Sequence, residues 1–255
     1  MQETPMLANN SDNRIVLLTG AAGGLGQVFA LHLAARGYRL VLTDLPSCEA
    51  SAQQCLRAGA PEVFALTCDL SDGADVDRLI AHVSERFDRI DALINNAAFV
   101  PIMPYGDVTA ALWRKVLAVN VDAPFFLAQA FAPAMARRGW GRIVNLASST
   151  VWGPPPGFAA YVCSKMGMIG LTRALAAELG SSGVTVNAIS PGLTRHAGSA
   201  AALPEQAFDA VRGRQFIPRT EQPQDLTGAL AFLLSDAAGF ITGQVLNVDG
   251  GGFGF

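Results

Sequence analysis

A serine, a tyrosine and a lysine in the middle of the chain have the types and spacing that proton transfer requires. Ser148 follows an apolar run, Tyr161 comes thirteen residues later, and Lys165 lies four residues beyond Tyr161. Residues four apart share one face of a helix, and an ammonium within about 4–6 Å lowers the pKa of a phenol from about 10. The three residues predict proton exchange with an alcohol or ketone oxygen, although a Tyr-x-x-x-Lys pair alone is more often an exposed helix surface.

A glycine-rich segment near the start of the chain predicts a phosphate-binding turn. It reads Thr-Gly-Ala-Ala-Gly-Gly-Leu-Gly over residues 19–26, between a short apolar run and an amphipathic stretch. Glycines permit a tight turn and a close backbone approach to a pyrophosphate, and the next helix offers free N–H groups to an anion. Many glycine-rich segments are only turns, but the strand-turn-helix context favours a dinucleotide. The predicted contacts are Gly20, Gly23, Gly24, Leu25 and Gly26.

Asp44 ends the second apolar run and bears on which dinucleotide binds. A carboxylate there accepts hydrogen bonds from ribose hydroxyls and repels a 2′-phosphate. The glycine-rich segment contains no basic residue, and Arg39 lies at the opposite end of the run. We therefore expect NAD(H) rather than NADP(H), with Leu45 beside the ribose; the alternative for Asp44 is a turn aspartate before Pro46.

The residues that follow two further apolar runs are predicted to line the cofactor. Asp69 follows the third run, where it either reaches an adenine ring or serves as the N-cap of the next helix. Residues 95–98, Asn-Asn-Ala-Ala, follow the fourth run with small side chains where a cofactor needs room.

Seven short apolar segments, alternating with longer amphipathic stretches, would position these residues. The predicted strands are 15–18, 40–43, 63–67, 92–94, 142–146, 184–189 and 245–248, and the predicted helices are 26–35, 75–86, material between 113 and 137, 160–179 and 224–234. Strands that are apolar throughout are typical of parallel sheets covered on both faces. The series predicts an α/β fold with a doubly wound, parallel, seven-stranded Rossmann sheet, whose ligands bind at the carboxyl ends of the strands.

The domain organisation is predicted to be simple. Residues 1–12 are expected to form a flexible tail, and 13–255 a single domain that combines dinucleotide binding and catalysis. The Ala-rich stretch 194–219 has weak periodicity and is predicted to be a mobile flap. We see neither a signal peptide nor an apolar run of about 20 residues, which favours a cytoplasmic protein that does not interact with membranes.

The composition argues against a nucleic-acid-binding protein and favours an oligomer. Lys and Arg number 18 against 21 Asp and Glu, a net charge of −3, which argues against a nucleic-acid partner. Only 15% of residues are charged, and the chain ends in Gly-Gly-Phe-Gly-Phe, so a monomer would expose Phe253 and Phe255; a homotetramer is expected. The four cysteines are expected to be reduced and mostly buried, and their spacing predicts no metal site.

From Arg14 to Gly251 the chain resembles the short-chain dehydrogenase/reductase family. The matching pieces are residues 19–26, Asp44, Asp69-Leu70, Asn95 to Ala98, Asn120, Ser148, Tyr161 to Lys165, Pro191-Gly192 and Ile241 to Gly251. The resemblance implies a catalytic tetrad. In it Tyr161 is the general acid/base, Ser148 binds the reacting oxygen, Lys165 holds the nicotinamide ribose and tunes Tyr161, and Asn120 anchors a proton-relay water by bending its helix. The resemblance also implies cofactor contacts from Leu70, Asn96, Ala97, Tyr161, Lys165, Pro191, Gly192 and Thr194.

The chain departs from the family pattern at two places. Ala98 stands where the family usually has glycine, and it adds a methyl group near the cofactor. His196 stands where the family often has a threonine that binds the nicotinamide carboxamide, although Thr194 is nearby. We expect His196 to be either an exposed flap residue or part of a substrate pocket.

The segments that flank the tetrad bear on the substrate. Residues 99–103, residues 151–154 and Leu193 are apolar and bulky, which suits a small apolar alcohol or ketone unless these side chains are ordinary core. Segments 139–152, 217–219, 224–228 and 240–244 resemble secondary-alcohol dehydrogenases of the 1-phenylethanol type. The alternatives are a 3-oxoacyl thioester reductase, for which the sequence offers no evident basic patch, a dehydrogenase of a cyclic diol or sugar, and a dinucleotide-sensing regulator without turnover.

Overall fold

The structure, a computed structural model, describes residues 13–253 and contains a seven-stranded parallel sheet. The strands are β1 Ile15–Thr19, β2 Arg39–Asp44, β3 Val63–Thr67, β4 Ala92–Asn95, β5 Gly141–Leu146, β6 Val184–Pro191 and β7 Val245–Val248. Their order is β3-β2-β1-β4-β5-β6-β7. The predicted fold class is confirmed. The strand order reverses between β1 and β4, and this is where doubly wound sheets bind ligands.

Helices cover both faces of the sheet. They are α1 Gly24–Ala34, α2 Glu49–Arg57, α3 Gly73–Arg86, α4 Ala110–Leu117, α5 Ala123–Arg138, α6 Ala159–Leu179, α7 Ala197–Ala202, α8 Glu205–Arg212 and α9 Gln224–Leu234. Successive strand residues point to opposite faces, so Val16 and Leu18 of β1 pack with α1 and α9, while Ile15 and Leu17 pack with α3 and α5. Burial on both faces explains why the strands are apolar throughout.

Two regions differ from the sequence prediction. Helix α2 was not predicted because its buried side chains, Ser51, Ala52 and Cys55, are small and leave a weak apolar pattern. The stretch 194–219, predicted to be a mobile flap, contains two helices that the sequence did not predict, α7 and α8. Phe208 is the only buried residue of α8, too little to produce a visible apolar periodicity.

A continuous helical stretch crosses the region between β4 and β5. Helix α4, a π-helical turn at Ala118–Asp122 and helix α5 follow one another without a break. Within residues 13–253, Ala110–Arg138 is the one stretch long and apolar enough to cross a membrane, by length and composition only. Half of its apolar window is buried inside the protein, as in a core helix.

The end of the described chain folds back onto the loop after β5. An ideal Cβ on Gly153 would lie 2.1 Å from Cε1 of Phe253, so the ring packs directly on that glycine. Phe253 is thus half-buried by its own chain, contrary to the expectation that a monomer would expose it. Phe255 and the predicted tail 1–12 lie outside the described residues.

The cysteines are all free thiols. Cys48, Cys55 and Cys68 are buried as expected, whereas Cys163 on α6 is exposed. In the described part of the chain, no group of three or more His, Cys, Asp or Glu residues could hold a metal ion.

Candidate active site

The fold brings Ser148, Tyr161 and Lys165 together at the carboxyl edge of the sheet. Ser148 lies just after β5, and α6 carries Tyr161 in its first turn and Lys165 one turn later. The Tyr161 phenol has a side-chain hydrogen bond with Ser148, and the Lys165 Nζ lies 5.6 Å from the centroid of the Tyr161 ring. The arrangement has the contacts that proton exchange through the phenol requires.

The pKa of Tyr161 differs from the sequence prediction. Desolvation of the phenol raises the pKa above its ordinary value of 10.0, and the hydrogen bond from Ser148 acts in the opposite direction. Lys165 is 1% exposed and donates from Nζ to the Leu146 carbonyl oxygen at 2.6 Å. Burial lowers the pKa of Lys165 from 10.5 to about 8. In the protein without ligands, therefore, Lys165 does not produce the predicted lowering of the Tyr161 pKa.

Thr150 orients the hydroxyl of Ser148. Its Oγ1 donates to Ser148 Oγ at 2.9 Å, and its backbone N–H donates to the same oxygen at 3.3 Å. With two hydrogen bonds accepted, the Ser148 oxygen directs its own proton elsewhere. Sequence reasoning missed Thr150, although its position two residues after a strand-end serine is typical of such a local turn.

Asn120 lies in the π-helical turn and is fully buried. Its Oδ1 accepts from the Phe99 N–H at 2.8 Å, and its Nδ2 donates to the Phe99 carbonyl at 3.0 Å and to Ser164 Oγ at 2.9 Å. Ser164 Oγ in turn donates to the Tyr161 carbonyl at 2.7 Å. Asn120 thus joins the loop after β4 to the helix that carries Tyr161 and Lys165. Helix irregularity at Asn120 was predicted from the family resemblance, and a π-turn is a common irregularity at functional sites.

The first turn forms a cradle that only glycines permit. An ideal Cβ on Gly20, whose φ is +69°, would lie 2.8 Å from the Ala97 Cα, and one on Gly26 would lie 1.9 Å from the Gly20 carbonyl oxygen. Asn96 Nδ2 donates to the Thr19 and Gly20 carbonyls at 2.9 and 3.1 Å, fixing the turn against the end of β4. Sequence reasoning placed Asn96 and Ala97 against the cofactor; the structure places both against this turn.

The N-terminus of α1 is available to an anion. Its N-cap residue, Gly23, makes no side-chain capping bond, and nothing lies within 4 Å of an ideal Cβ at that position. Free N–H groups and the helix dipole suit a pyrophosphate there, so the residues present fit a dinucleotide. Leu25, also predicted as a contact, lies in the first turn of α1 and is partly buried.

His196 lies beside the glycine-rich turn, a position that neither sequence alternative described. Its Nδ1 would be 3.3 Å from an ideal Cβ on Gly24, and the same nitrogen accepts from the Ser199 N–H at 3.4 Å as the N-cap of α7. Burial lowers the pKa of His196 below 6.5. The imidazole is therefore neutral at pH 7 and carries its proton on Nε2.

Asp44 ends β2 with its carboxylate against the glycine-rich turn. Oδ2 accepts from the Ala22 N–H at 2.9 Å, and Oδ1 accepts from the Leu45 N–H at 2.8 Å. The Leu45 side chain is exposed beside it, and Arg39 begins the same strand at the far end. Each carboxylate oxygen keeps acceptor capacity for a ribose hydroxyl.

Asp69, which follows β3, does not have one of its two predicted roles. Asp69 Oδ1 accepts from the Ser71 N–H at 2.9 Å and from Ser71 Oγ at 2.7 Å, and these bonds lower the pKa of Asp69. The N-cap of α3 is Asp72 and not Asp69. Leu70, also predicted as a cofactor contact, is 8% exposed and packs in the core.

The predicted cofactor contacts after β6 are held by a buried carboxylate. Pro191 ends the strand, and Gly192 and Thr194 follow it. A carboxylate that sequence reasoning did not single out, Glu221, accepts from the Gly192 N–H at 2.9 Å and from Thr194 Oγ1 at 2.6 Å. Only the fold reveals this role, because Glu221 lies 27 residues away in a stretch without periodicity.

An apolar groove of about 790 Å³ adjoins α6. Its lining includes Ile102, Met103 and Pro154 from the predicted pocket segments, and Phe158, whose ring contacts that of Tyr161 at 6.1 Å between centroids. No charged side chain lines it. The other predicted pocket residues, among them Trp152 and Leu193, lie outside this groove.

A phosphate cradle at a sheet switch point, beside an acid/base group at the same edge, defines a nicotinamide-dependent oxidoreductase. The family model described as enoyl-(acyl carrier protein) reductase matches residues 20–252. The chain belongs to the short-chain dehydrogenase/reductase family, and the predicted resemblance is confirmed at that level.

Similar proteins in this family act on different substrates. The chain is 36% identical over 240 residues to subunit BbsD of (2S)-[(R)-hydroxy(phenyl)methyl]succinyl-CoA dehydrogenase from Thauera aromatica, covering 94% of this chain and 96% of that protein. It is 36% identical over 251 residues to D-threitol dehydrogenase from Mycolicibacterium smegmatis, covering 94% and 93%. The solved structure of a 3-oxoacyl-(acyl-carrier-protein) reductase from Agrobacterium tumefaciens with NADP bound has a TM-score of 0.89 at 27% identity, covering 98% and 100%.

Proposed function

We propose that this protein interconverts a hydrophobic secondary alcohol and its ketone, using NAD(H) and a tetrad of Asn120, Ser148, Tyr161 and Lys165. The observation that carries the proposal is the convergence of Ser148, Tyr161 and Lys165 at the sheet edge. A groove without charged lining adjoins the same helix, and Phe158 of its lining contacts the Tyr161 ring. Intact acid/base machinery also argues against a regulator without turnover.

Ser148 and Tyr161 handle the proton. A bound nicotinamide cofactor would supply the hydride chemistry at the carbinol carbon, and the protein's own side chains would move the proton. In oxidation, the alcohol oxygen gives its proton to the Tyr161 phenolate, and Ser148 donates a hydrogen bond to the same oxygen. In reduction, the Tyr161 phenol returns the proton. Thr150 supports this role because it leaves the Ser148 proton free for the substrate.

Lys165 and Asn120 support Tyr161, the proposed proton donor. An ammonium lowers the free energy of a nearby phenolate, and the positive charge of a bound oxidised ring would act in the same direction. The two charges together would offset the desolvation that raises the Tyr161 pKa in the protein without ligands. Lys165 would also bind the nicotinamide ribose. Asn120 holds the loop after β4 against α6, which keeps the residues of the tetrad in register.

The geometry of Asp44 supports NAD(H) over NADP(H). The carboxylate lies against the turn that would bind the pyrophosphate, where a 2′-phosphate would meet like-charge repulsion. The solved structure of a family neighbour has NADP bound, so the proposal of NAD(H) rests on Asp44 and not on family membership.

The groove supports an aryl alkyl carbinol of the 1-phenylethanol type. An aromatic ring fits among apolar side chains, whereas sugars and diols need polar partners. The name of the Thauera relative describes a hydroxy(phenyl)methyl group, a benzylic secondary alcohol. The same name contains a coenzyme A thioester, and the neighbour from Agrobacterium is a 3-oxoacyl-(acyl-carrier-protein) reductase, so a 3-oxoacyl thioester reductase is one alternative. The relative named D-threitol dehydrogenase supports a second alternative, a dehydrogenase of a diol or sugar.

Assembly as a cytoplasmic homotetramer without membrane or nucleic-acid partners completes the proposal. Phe125 and Phe126 of α5 and Met166 of α6 are exposed apolar side chains on neighbouring helices, and such patches mark interfaces. Light scattering should give a mass near four times 26.7 kDa. A monodisperse monomer at micromolar concentration would contradict this part.

A substrate panel tests the activity. Purified protein is assayed with each cofactor and with 1-phenylethanol, an aliphatic secondary alcohol, a cyclic diol, gluconate, acetoacetyl-coenzyme A and acetophenone, following reduced-nicotinamide absorbance. We expect the highest kcat/KM for the aryl alkyl pair with NAD(H). A higher value for the thioester or a polyol would establish the corresponding alternative, and cofactor binding with no turnover across the panel would favour a regulator.

A further inference from the structure

Glu221 is a buried carboxylate tied to the segment that follows β6. It is 4% exposed, and its two oxygens accept from the Gly192 N–H and the Thr194 hydroxyl. The backbone adds a second connection, because the Arg195 N–H donates to the Glu221 carbonyl at 2.8 Å and Thr194 pairs with Glu221 in a parallel bridge. The side chain of Glu221 thus holds Gly192 and Thr194, and its main chain holds Thr194 and Arg195.

The space for this carboxylate exists because residue 192 is glycine. An ideal Cβ on Gly192 would lie 2.7 Å from Glu221 Oε2 and 3.1 Å from the Asp249 Cβ. A methyl group there would displace the carboxylate from the N–H that it accepts. Gly192 and Glu221 are therefore complementary.

The hydrogen bond to Thr194 also fixes the polarity of its hydroxyl. A threonine hydroxyl has one proton, and at Thr194 that proton is directed to the Glu221 carboxylate. The lone pairs of Oγ1 are left to accept from another group. The carboxamide of a nicotinamide ring offers an NH2 donor.

We propose that Glu221 is a positioning residue for the nicotinamide end of the cofactor: it holds Gly192 to Thr194 in one conformation and makes the Thr194 hydroxyl a hydrogen-bond acceptor. The inference rests on the cofactor assignment above and adds a residue that acts through Thr194. It predicts that the charge state of Glu221 controls cofactor affinity.

The groups around Glu221 bring its pKa close to neutral pH. Burial is the main cause that raises the pKa of Glu221 to about 7; the bonds from Thr194 and Gly192 lower it, and the charges of Asp225 and Asp249 make smaller raising contributions. Arg219 faces the same region but makes two hydrogen bonds of 2.6 Å to Asp225. Above about pH 7 the carboxylate accepts from Thr194. Below it, a protonated Glu221 donates to Thr194 and reverses the hydroxyl.

Glu221→Gln is the informative variant. The amide is nearly isosteric, so Oε1 still accepts from Gly192 and Nε2 donates to Thr194, which reproduces the protonated state at every pH. Glu205→Gln is the matched control, because Glu205 is an exposed carboxylate on α8 that pairs with Arg195 and touches neither Gly192 nor Thr194. Thr194→Val removes the hydroxyl and permits a double-mutant cycle.

Calorimetric NAD⁺ affinity from pH 6.5 to 8.5 is the principal measurement. For wild type and Glu205→Gln we expect the Kd to fall by about tenfold as the pH rises, the worth of one charge-assisted hydrogen bond. For Glu221→Gln we expect a weak, pH-independent Kd. In the Thr194→Val background, Glu221→Gln should change little. Lys165 titrates in every variant alike, so the comparison between variants isolates Glu221.

Hydrogen exchange of the cofactor-free protein gives a readout that does not depend on binding. The Gly192 N–H donates to Glu221 at 2.9 Å and also to the Val248 carbonyl at 3.2 Å. Its amide should exchange at the wild-type rate in Glu221→Gln and faster in Glu221→Ala, which keeps only the Val248 acceptor. The inference is overturned if Glu221→Gln keeps the wild-type Kd and pH profile, or if its effect persists in full in Thr194→Val. A wild-type protein that binds neither NAD⁺ nor NADP⁺ would instead overturn the proposed function.

Discussion

The Ser148 hydroxyl oxygen accepts a hydrogen bond from the Thr150 hydroxyl at 2.9 Å. This relationship turns the proton of Ser148 away from its own loop and towards Tyr161, with which it shares a hydrogen bond. Thr150 itself is a positioning residue, because it acts on the reacting oxygen through Ser148.

Thr150→Val should lower kcat by about tenfold with little change in the KM for cofactor. Valine keeps the shape but removes the donor, and a neutral hydrogen bond is worth about 0.5–1.5 kcal/mol. Thr150→Ser, which restores a hydroxyl, is the control and should recover most of the rate. Equal rates for Thr150→Val and wild type would show that Ser148 is oriented without it.

Tyr161→Phe should lower kcat by about 10²–10⁴-fold and leave cofactor affinity nearly unchanged, because the phenol oxygen carries the proton while the ring only packs. Steady-state kinetics and a binding titration together measure the two effects. Tyr38→Phe, a buried change distant from the site, controls for folding. Turnover within a few-fold of wild type would remove Tyr161 from the acid/base role.

Asp44→Ala should reduce the preference for NAD(H) over NADP(H), which we expect to be about a hundredfold or more in wild type. Repulsion of a 2′-phosphate by a carboxylate costs several kcal/mol, and each 1.4 kcal/mol is about tenfold. The ratio of kcat/KM for the two cofactors measures this preference. Asp88→Ala, which removes an exposed charge elsewhere, should leave the ratio unchanged. Equal use of both cofactors by wild type would mean that Asp44 does not face the ribose.

Lys165→Met should stabilise the cofactor-free protein at pH 7.5 more than at pH 10. The folded pKa of Lys165, about 8, lies below its ordinary 10.5, so the folded state binds fewer protons than the unfolded state between these values. Wild-type stability therefore rises with pH across that window, and the penalty relieved is on the order of 3 kcal/mol.

Thermal unfolding at both pH values measures the effect of Lys165→Met. The difference in Tm between variant and wild type should shrink as the pH rises. The unpaired Leu146 carbonyl in the variant adds a cost that does not depend on pH. A difference that grows with pH would show that the ammonium is stabilised, and not penalised, by its surroundings. The variant should also lose activity, which provides a separate check on the role of Lys165.

The residues that bear the chemistry and the order of the elements were accessible from the sequence. Local rules explain this: buried parallel strands must be apolar, tight turns at phosphate sites require glycines, and Tyr161 and Lys165 are separated by one helical turn. The family resemblance added Asn120, for which local patterns provide no signal. The two helices within 194–219 escaped prediction because α7 is short and α8 buries one residue.

Contacts between residues distant in the chain were decided only by the tertiary structure. The sequence alone determined that Glu221 and Thr194 are an acid and a hydroxyl, but not that the fold joins them at 2.6 Å. The sequence determined that residue 165 is a lysine, but its pKa of about 8 results from burial, which the sequence alone did not reveal. Hydrogen-bond partners and desolvation depend on what packs around a group, and that environment exists only once the strands and helices have assembled.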